Sequence, residues 1–131
     1  MVDGASKDRT LDIVRDHQPH ITGWFSEPDR NYYDALNKGI AQSRGRYIKI
    51  LNADDALPAG SVERAVEHLK TWGDRDVCLR GAMELIDGDG ERVEVITNVN
   101  RARYLPGFFP VLHPTWYVPR SVYERLGGYT I

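Results

Sequence analysis

The sequence is poor in the features that mark secreted, membrane-spanning and nucleic-acid-binding proteins. It has a single cysteine, Cys78, which cannot form an internal disulfide and agrees with a reducing compartment. The 17 basic and 19 acidic residues are interspersed, so no basic face is available for a nucleic-acid backbone. No apolar run approaches the ~18–20 residues that span a bilayer, and residues 1–8 lack the plan of a signal peptide. We therefore expect a cytoplasmic protein with no transmembrane segment and no nucleic-acid partner.

The composition suits one globular domain. The chain has 131 residues, of which 41% are hydrophobic, and a chain of this size buries about 65–70% of its unfolded surface. No internal repeat, low-complexity segment or linker divides it, which predicts a single domain over residues 1–131. Cys78 lies in an apolar run and is interpreted as a small buried residue.

The most informative stretch is YIKILNADDALP at residues 47–58. The apolar, β-branched run bounded by Pro58 predicts a buried strand of an α/β sheet that releases Asp54 and Asp55 at its carboxyl end. Open α/β sheets bind ligands at that edge. Adjacent carboxylates repel each other unless a positive group lies beside them, and a divalent metal, a basic residue and solvent are the alternatives.

Periodicity and turn residues predict the other elements. A first helix is expected to begin after a capping Ser6 and to end before Pro19, and a second is expected over residues 32–43, followed by Gly45 in a left-handed turn. A third is expected to begin at a capping Ser61, and a fourth to cover residues 119–126. Strands are expected at residues 21–25, 77–86, 92–96 and 112–118, with a hairpin turn at 87–90. We expect residues 101–110 to form a packed loop, with an irregular lid or an acceptor-side segment as the alternatives.

Polar residues gather where the strand at 21–25 ends. That strand delivers Glu27 and Asp29 to the same edge as Asp55. On the following helix, Asn37 has poor helix propensity and invites a hydrogen-bonding explanation, whereas Lys38 is typical of a solvated surface.

Four stretches resemble family 2 glycosyltransferases of the GT-A fold, especially bacterial enzymes of polysaccharide and lipopolysaccharide assembly. Each is weak alone, but all four occur in the order and spacing of that family. They are VDGASKDRT at 2–10, SEPDRNYYDALNKGI at 26–40, LNADD at 51–55, and HPT at 113–115 followed by LGGY at 126–129.

The resemblance implies a metal-dependent, inverting transfer of a sugar from a nucleoside-diphosphate sugar to a glycan or lipid-linked acceptor. It implies that Asp55 binds Mn²⁺ or Mg²⁺, and that Asp54 assists at the metal or bonds the ribose. Asn52 stands at the first position of the family's Asp-any-Asp motif. The nucleotide-sugar pocket would be completed by Asp3, Glu27, Asp29, Asn37 and Lys38. A lipid-linked acceptor would place the protein at the inner face of the membrane.

Several positions depart from the family pattern. Ala5, Arg9 and Asn31 stand where relatives usually have glycine, and asparagine tolerates positive φ better than most residues. The family's first strands would precede Asp3, and its general base would follow the Gly-Gly-Tyr string. The expected fold is thus a GT-A-like three-layer α/β core that lacks its first strands.

This incomplete core leaves other functions open. Unpaired sheet edges would favour self-association or strand exchange. The alternatives to an active transferase are a catalytically silent nucleotide-sugar-binding remnant and a subunit that needs a partner chain. A nucleotidyltransferase would want a glycine-rich basic phosphate loop near the amino terminus, which the sequence does not show.

Overall fold

The computed structural model describes residues 1–97 and 113–131. The predicted lid or loop at 101–110 and the start of the strand predicted at 112–118 lie outside the described residues. The chain divides into two compact units, which are described separately. The first unit comprises Met1–Gly45 and Arg120–Ile131, and the second comprises Arg46–Pro119.

The described elements mix short strands with four α-helices. In chain order they are β1 (Val2–Asp3), α1 (Thr10–Asp16), a 3₁₀ turn (Gln18–His20), β2 (Phe25–Ser26), α2 (Tyr32–Gln42), β3 (Tyr47–Lys49), α3 (Ser61–Lys70), β4 (Leu79–Arg80), β5 (Met83–Ile86), β6 (Arg92–Ile96), a 3₁₀ turn (His113–Thr115), β7 (Trp116–Pro119) and α4 (Arg120–Leu126). No helix among them is long and apolar enough to cross a membrane.

The first unit is built on a parallel pair of strands. In β1 and β2, Val2 lies opposite Phe25 and Asp3 opposite Ser26, with α1 in the crossover between them. Helix α2 packs on β1, and a Cβ added at Gly39 would lie 3.2 Å from a methyl group of Val2. The small residue therefore permits the close approach of helix and strand that brings α2 to the ends of β1 and β2.

Helix α2 confirms its prediction, and its amino terminus explains Asn31. The Asn31 side chain accepts a hydrogen bond from the Asp34 N–H at 3.0 Å, as a helix cap does. Its φ is −167°, so tolerance of positive φ does not explain the asparagine. The carboxyl end of the helix differs from expectation. Ser43, the residue after the helix, has an extended backbone, and Gly45 does not have a positive φ. The predicted left-handed Gly45 is wrong.

Helix α1 begins later than predicted. It starts at Thr10 without a side-chain cap, because Ser6, the expected cap, bonds Asp3 through both its N–H and its hydroxyl. Ala5, which precedes that serine, has φ +65° and is the sole non-glycine residue with positive φ in the described part of the chain. The residue that replaces a family glycine therefore holds a left-handed backbone.

The second unit contains a three-stranded antiparallel sheet in the order β3-β7-β4. Ile48 lies opposite Val118 at its centre, and both are buried. The buried strand predicted at residues 47–51 is thus present but ends at Lys49. Helix α3 buries Ala65 and Leu69, and its cap position is Gly60, with φ +71°, so the predicted Ser61 cap is wrong.

The hairpin of β5 and β6 is confirmed, but the segment before it is not as predicted. One Asp87 carboxylate oxygen accepts from the N–H groups of Asp89 and Glu91, each at 3.0 Å, which forms the expected turn. The strand expected at 77–86 divides into β4 and β5, which belong to different sheets. Because β4 begins only at Leu79, Cys78 is not covered by the sheet and is exposed. Its predicted burial is wrong.

Candidate functional site

Four charged side chains converge beside β2 in the first unit. Lys38 Nζ lies 2.7 Å from Asp29 Oδ1, 2.9 Å from Glu27 Oε1 and 3.3 Å from Asp34 Oδ2. It also donates to the Pro28 carbonyl at 2.9 Å. These bonds, first the one to Asp29, raise the pKa of Lys38 above its usual range. Lys38 is therefore not the solvated surface residue that helical statistics favour but the centre of an anionic cluster.

Asp34 belongs to this cluster and was missed from the sequence. Its carboxylate accepts from the Arg30 N–H at 3.0 Å and from the Arg30 guanidinium at 3.2 Å. These bonds, assisted by Lys38, lower the pKa of Asp34 to about 2. An aspartate four residues before a lysine on a predicted helix was the available signal.

Asp3 is buried and accepts hydrogen bonds both from its own loop and from β2. Its oxygens accept from the Ser26 hydroxyl at 2.6 Å, the Ser6 hydroxyl at 2.5 Å and the Ser6 N–H at 3.0 Å. These bonds, the one from Ser26 foremost, lower the pKa of Asp3. Asp3 thereby ties the β1–α1 loop to β2.

The β1–α1 loop and the loop after β2 touch at Gly4. A Cβ added there would lie 3.0 Å from Asp29 Oδ2, so a side chain at this position would require the carboxylate to shift by a few tenths of an ångström. Asp3, Glu27, Asp29 and Lys38 therefore come together at the carboxyl ends of two parallel strands, where α/β sheets bind ligands.

Asn37, predicted for the same pocket, is engaged elsewhere in the first unit. Its Nδ2 donates to the Tyr129 carbonyl at 2.8 Å, and its Oδ1 accepts from the Tyr129 N–H at 2.7 Å. The amide thus pairs with the backbone as a neighbouring strand would. The hydrogen bonds expected for this mid-helix asparagine are therefore made with the segment after α4.

The acidic pair lies in the second unit, in the turn after β3. Asp55 is half-buried and Asp54 is exposed. Asn52 Nδ2 donates to Asp55 Oδ2 at 2.9 Å, and the Asp55 N–H returns a bond to the Asn52 carbonyl at 3.2 Å. Asn52 therefore orients the aspartate that was predicted to bind the metal.

Two basic residues of the second unit, Lys49 and His113, are influenced by the charge of Asp55 and were not predicted as site residues. Burial lowers the pKa of Lys49 and of His113, and the Asp55 carboxylate opposes that shift in both. The Lys49 ammonium is fixed by a hydrogen bond to the Pro114 carbonyl and lies 5.0 Å from the centre of the Tyr117 ring. Two sequence features could have indicated these residues: the HPT string at 113–115 contains His113, and Lys49 is a single lysine within the apolar run at 47–51.

The donor set of this turn suits one kind of metal site. Within residues 1–97 and 113–131, no three histidine, cysteine or acidic side chains converge as a cation site. A Mg²⁺ or Mn²⁺ ion that binds with a diphosphate needs only one or two protein carboxylates, since phosphate oxygens and water fill its other positions. Asp55 and Asp54 fit an ion that arrives with its ligand and do not fit one that the protein holds alone.

Comparison with known proteins gives a consistent set of matches. Residues 1–120 match the family described as "Glycosyl transferase family 2". Over 132 residues, the whole of this chain and 50% of the relative, the sequence is 29% identical to an uncharacterized glycosyltransferase of Mycobacterium tuberculosis. It is 24% identical to an uncharacterized glycosyltransferase of Rickettsia typhi over 97% of this chain and 42% of the relative.

A shorter match is closer in sequence. A Mycobacterium bovis protein named "PGL/p-HBAD biosynthesis glycosyltransferase" is 37% identical over 60 residues, which are 44% of this chain and 23% of that protein. The chain spans about half the length of the first curated relatives it matches. No solved structure gives a significant match.

Proposed function

Because the chain belongs to glycosyl transferase family 2, we propose that it acts in transferring a sugar from a nucleoside-diphosphate sugar to a glycan or lipid-linked acceptor, with inversion. Its fold is the GT-A-like α/β fold of that family. The observation that carries the proposal is the family match, which includes both the acidic cluster around Lys38 and the Asp54-Asp55 turn. We also propose that the protein is cytoplasmic and reaches a lipid-linked acceptor at the inner face of the membrane.

The loop after β2 is the proposed nucleotide-binding part of the first unit. Lys38 fixes Asp29 and Glu27, whose carboxylates can accept hydrogen bonds from ribose hydroxyls or a base N–H. Asp3 uses three of its acceptor positions within the protein, so its role is to hold the β1–α1 loop in place. Asn37 acts in the same indirect way through Tyr129.

The turn of the second unit is the proposed diphosphate-binding part. Asp55, with Asp54 beside it, would hold Mn²⁺ or Mg²⁺. The bound ion would supply Lewis-acid stabilisation of the charge on the leaving diphosphate. Asn52 keeps the Asp55 carboxylate oriented, and the Lys49 ammonium offsets part of the negative charge of the acidic turn.

Calorimetric titration with UDP and GDP, each with and without MnCl₂, tests this function. We expect the metal to strengthen nucleotide binding, and we expect Asp55→Asn to abolish that strengthening. Asp16→Asn on α1 removes an exposed carboxylate outside the acidic turn and is the control. Unchanged metal-linked affinity in Asp55→Asn would refute the ligand assignment.

Incubation with UDP- and GDP-sugars separates an enzyme from a silent binder. Slow donor hydrolysis or transfer supports the transferase, whereas binding without either identifies a remnant or a subunit that needs a partner chain. Absence of nucleotide binding in every condition would refute the whole proposal.

We also propose that the protein self-associates. Within the described ranges β1 pairs with β2 alone, and short sheets with free edges pair readily with a second copy. Sedimentation velocity over a concentration series should show dimers or larger species. A single monomeric boundary at all concentrations would contradict self-association.

A further inference from the structure

Helices α2 and α4 enclose a groove of about 380 Å³ in the first unit. This volume is within the ~300–1,000 Å³ range of small-molecule sites. Its polar lining comes from Asn37, Ser43, Arg120 and Glu124, and Tyr123 supplies an aromatic wall. Neither the Lys38 cluster nor the Asp55 turn contributes to this lining.

The charged groups of the groove are paired and positioned. Arg120 Nε lies 3.0 Å from Glu124 Oε1, one helical turn away, and Arg120 Nη1 donates to the Arg44 carbonyl at 3.3 Å. Both side chains keep much of their surface open, with exposed fractions of 42% and 61%. A guanidinium offers several donors and a carboxylate several acceptors, so the pair can satisfy neighbouring hydroxyl groups of one ligand.

The aromatic wall continues into a row of tyrosines. The Tyr123 ring centre lies 6.3 Å from that of Tyr129, which in turn stacks on Tyr33 at 5.5 Å and an interplanar angle of 24°. Tyr33 remains 46% exposed although it is part of this stack. The row is held rigidly, because the two hydrogen bonds from Asn37 fix the backbone of Tyr129.

This combination matches the chemistry of a sugar ring. A pyranose has faces of C–H groups that stack on aromatic rings and a rim of hydroxyls that donate and accept hydrogen bonds. The lining carries one positive and one negative side chain, so it has no net charge with which to attract an anionic diphosphate. An apolar peptide would have to desolvate the Arg120–Glu124 pair, which is costly.

We propose that this groove, with the tyrosine row beside it, binds a pyranose ring of a neutral glycan. Its assignment as the acceptor side of the reaction rests on the proposed function, whereas sugar binding itself does not. Tyr123 stacks on the C–H face of the ring, and Arg120 and Glu124 bond its hydroxyls.

Saturation-transfer NMR with the methyl α-glycosides of glucose, galactose, mannose and rhamnose tests the site. At roughly 10 mM glycoside, suited to the millimolar affinity of single sugar units, we expect transfer to the ring protons of at least one of them. Tyr123→Ala should weaken that binding about tenfold through loss of the aromatic contact. Tyr123→Phe keeps the ring and should bind as the parent protein does.

A second pair of variants tests the polar side of the groove with a smaller change in side-chain size. Glu124→Gln keeps the size of the side chain but alters its acceptors, and it should weaken binding at least threefold. Asp12→Asn breaks a comparable exposed ion pair on α1, between Asp12 and Arg15, and should change nothing. Circular dichroism confirms that each variant is folded.

The outcomes distinguish this site from the proposed function. Absence of saturation transfer from all four glycosides, or full binding in both Tyr123→Ala and Glu124→Gln, overturns the sugar site. If UDP or GDP still binds in that case, the proposed function stands and only the groove is wrong. If a glycoside binds at the groove and no nucleotide binds, the proposed function fails and the sugar site stands.

Discussion

Asn37 and Tyr129 lie 92 positions apart and are joined by two antiparallel hydrogen bonds between a side-chain amide and a backbone peptide. This arrangement lets a helix residue act as a strand neighbour for the segment after α4. Because Tyr129 stacks on Tyr33 of the same helix, the segment is fixed to α2 by both backbone and ring. The groove and the tyrosine row depend on this attachment.

Replacement of Asn37 by aspartate should destabilise the protein by about 2–3 kcal/mol, the usual effect of leaving a partly buried polar group unpaired. The carboxylate can still accept from the Tyr129 N–H, but its second oxygen would face the Tyr129 carbonyl oxygen. The free energy of unfolding in urea measures the effect. Gln18→Glu makes the same chemical change on an exposed side chain. It should alter the free energy of unfolding by less than about 0.5 kcal/mol.

The attachment also requires a residue without a side chain at position 128. A Cβ on Gly128 would lie 2.2 Å from Asn37 Oδ1, so Gly128→Ala must push the two segments apart. We expect a loss of about 1–3 kcal/mol. Gly23→Ala, where a Cβ meets nothing within 4 Å, is the control. In an Asn37→Ala background the cost of Gly128→Ala should fall sharply, and equal costs in both backgrounds would show that the clash is elsewhere.

Local elements could be predicted from the sequence because their causes are local. Apolar spacing and an asparagine cap define α2, and an Asp-Gly turn between alternating strands defines the β5–β6 hairpin. The bond of Asn37 to Tyr129 and that of Asp3 to Ser26 could not be predicted in this way. Both partners are brought close by the fold, and a pattern of neighbours along the chain carries no information about them.

The candidate site shows the same division. The sequence identified Asp29 and Asp55 as polar residues that follow strands, where the structure places them, but Lys38 as a solvated helix residue, which it is not. It did not identify Lys49 and His113 as basic side chains near the acidic turn. Lys49 precedes Asp55 in the same stretch, whereas His113 is distant in sequence and comes near because β7, which follows it, pairs with β3. The pairing of those two strands is a tertiary contact between distant parts of the chain.

Substitution of glycine for Ala5 should stabilise the protein. Ala5 has φ +65°, a conformation that costs an L-residue roughly 1–2 kcal/mol and glycine almost nothing. The larger entropy of glycine in the unfolded chain offsets part of that gain, so we expect a net increase of about 0.5–1 kcal/mol in the free energy of unfolding. Ala35→Gly within α2 should instead cost about 1 kcal/mol. A loss of stability in Ala5→Gly would show that the alanine methyl makes a contact that outweighs the strain.

The Asp34 carboxylate should make stability depend on pH in the acid range. Its pKa is lowered from 3.8 to about 2, so the folded state favours the ionised form and the unfolded state binds the proton more readily. The contribution of Asp34 is therefore complete above pH 3.8 and is lost as the pH falls through about 2. The charged groups in contact with this carboxylate are Arg30 and Lys38, and Lys38 also pairs with Glu27 and Asp29.

Urea unfolding of the parent protein and Asp34→Asn at several pH values between 7 and 2 measures this dependence. We expect the variant to be less stable at pH 7 and the difference between the two proteins to narrow steadily below pH 4. Asp16→Asn, which removes an exposed carboxylate from the end of α1, should run parallel to the parent over the same range. A difference between the parent and Asp34→Asn that stays constant down to pH 2 would mean that Asp34 stabilises α2 through hydrogen bonds that do not require its charge.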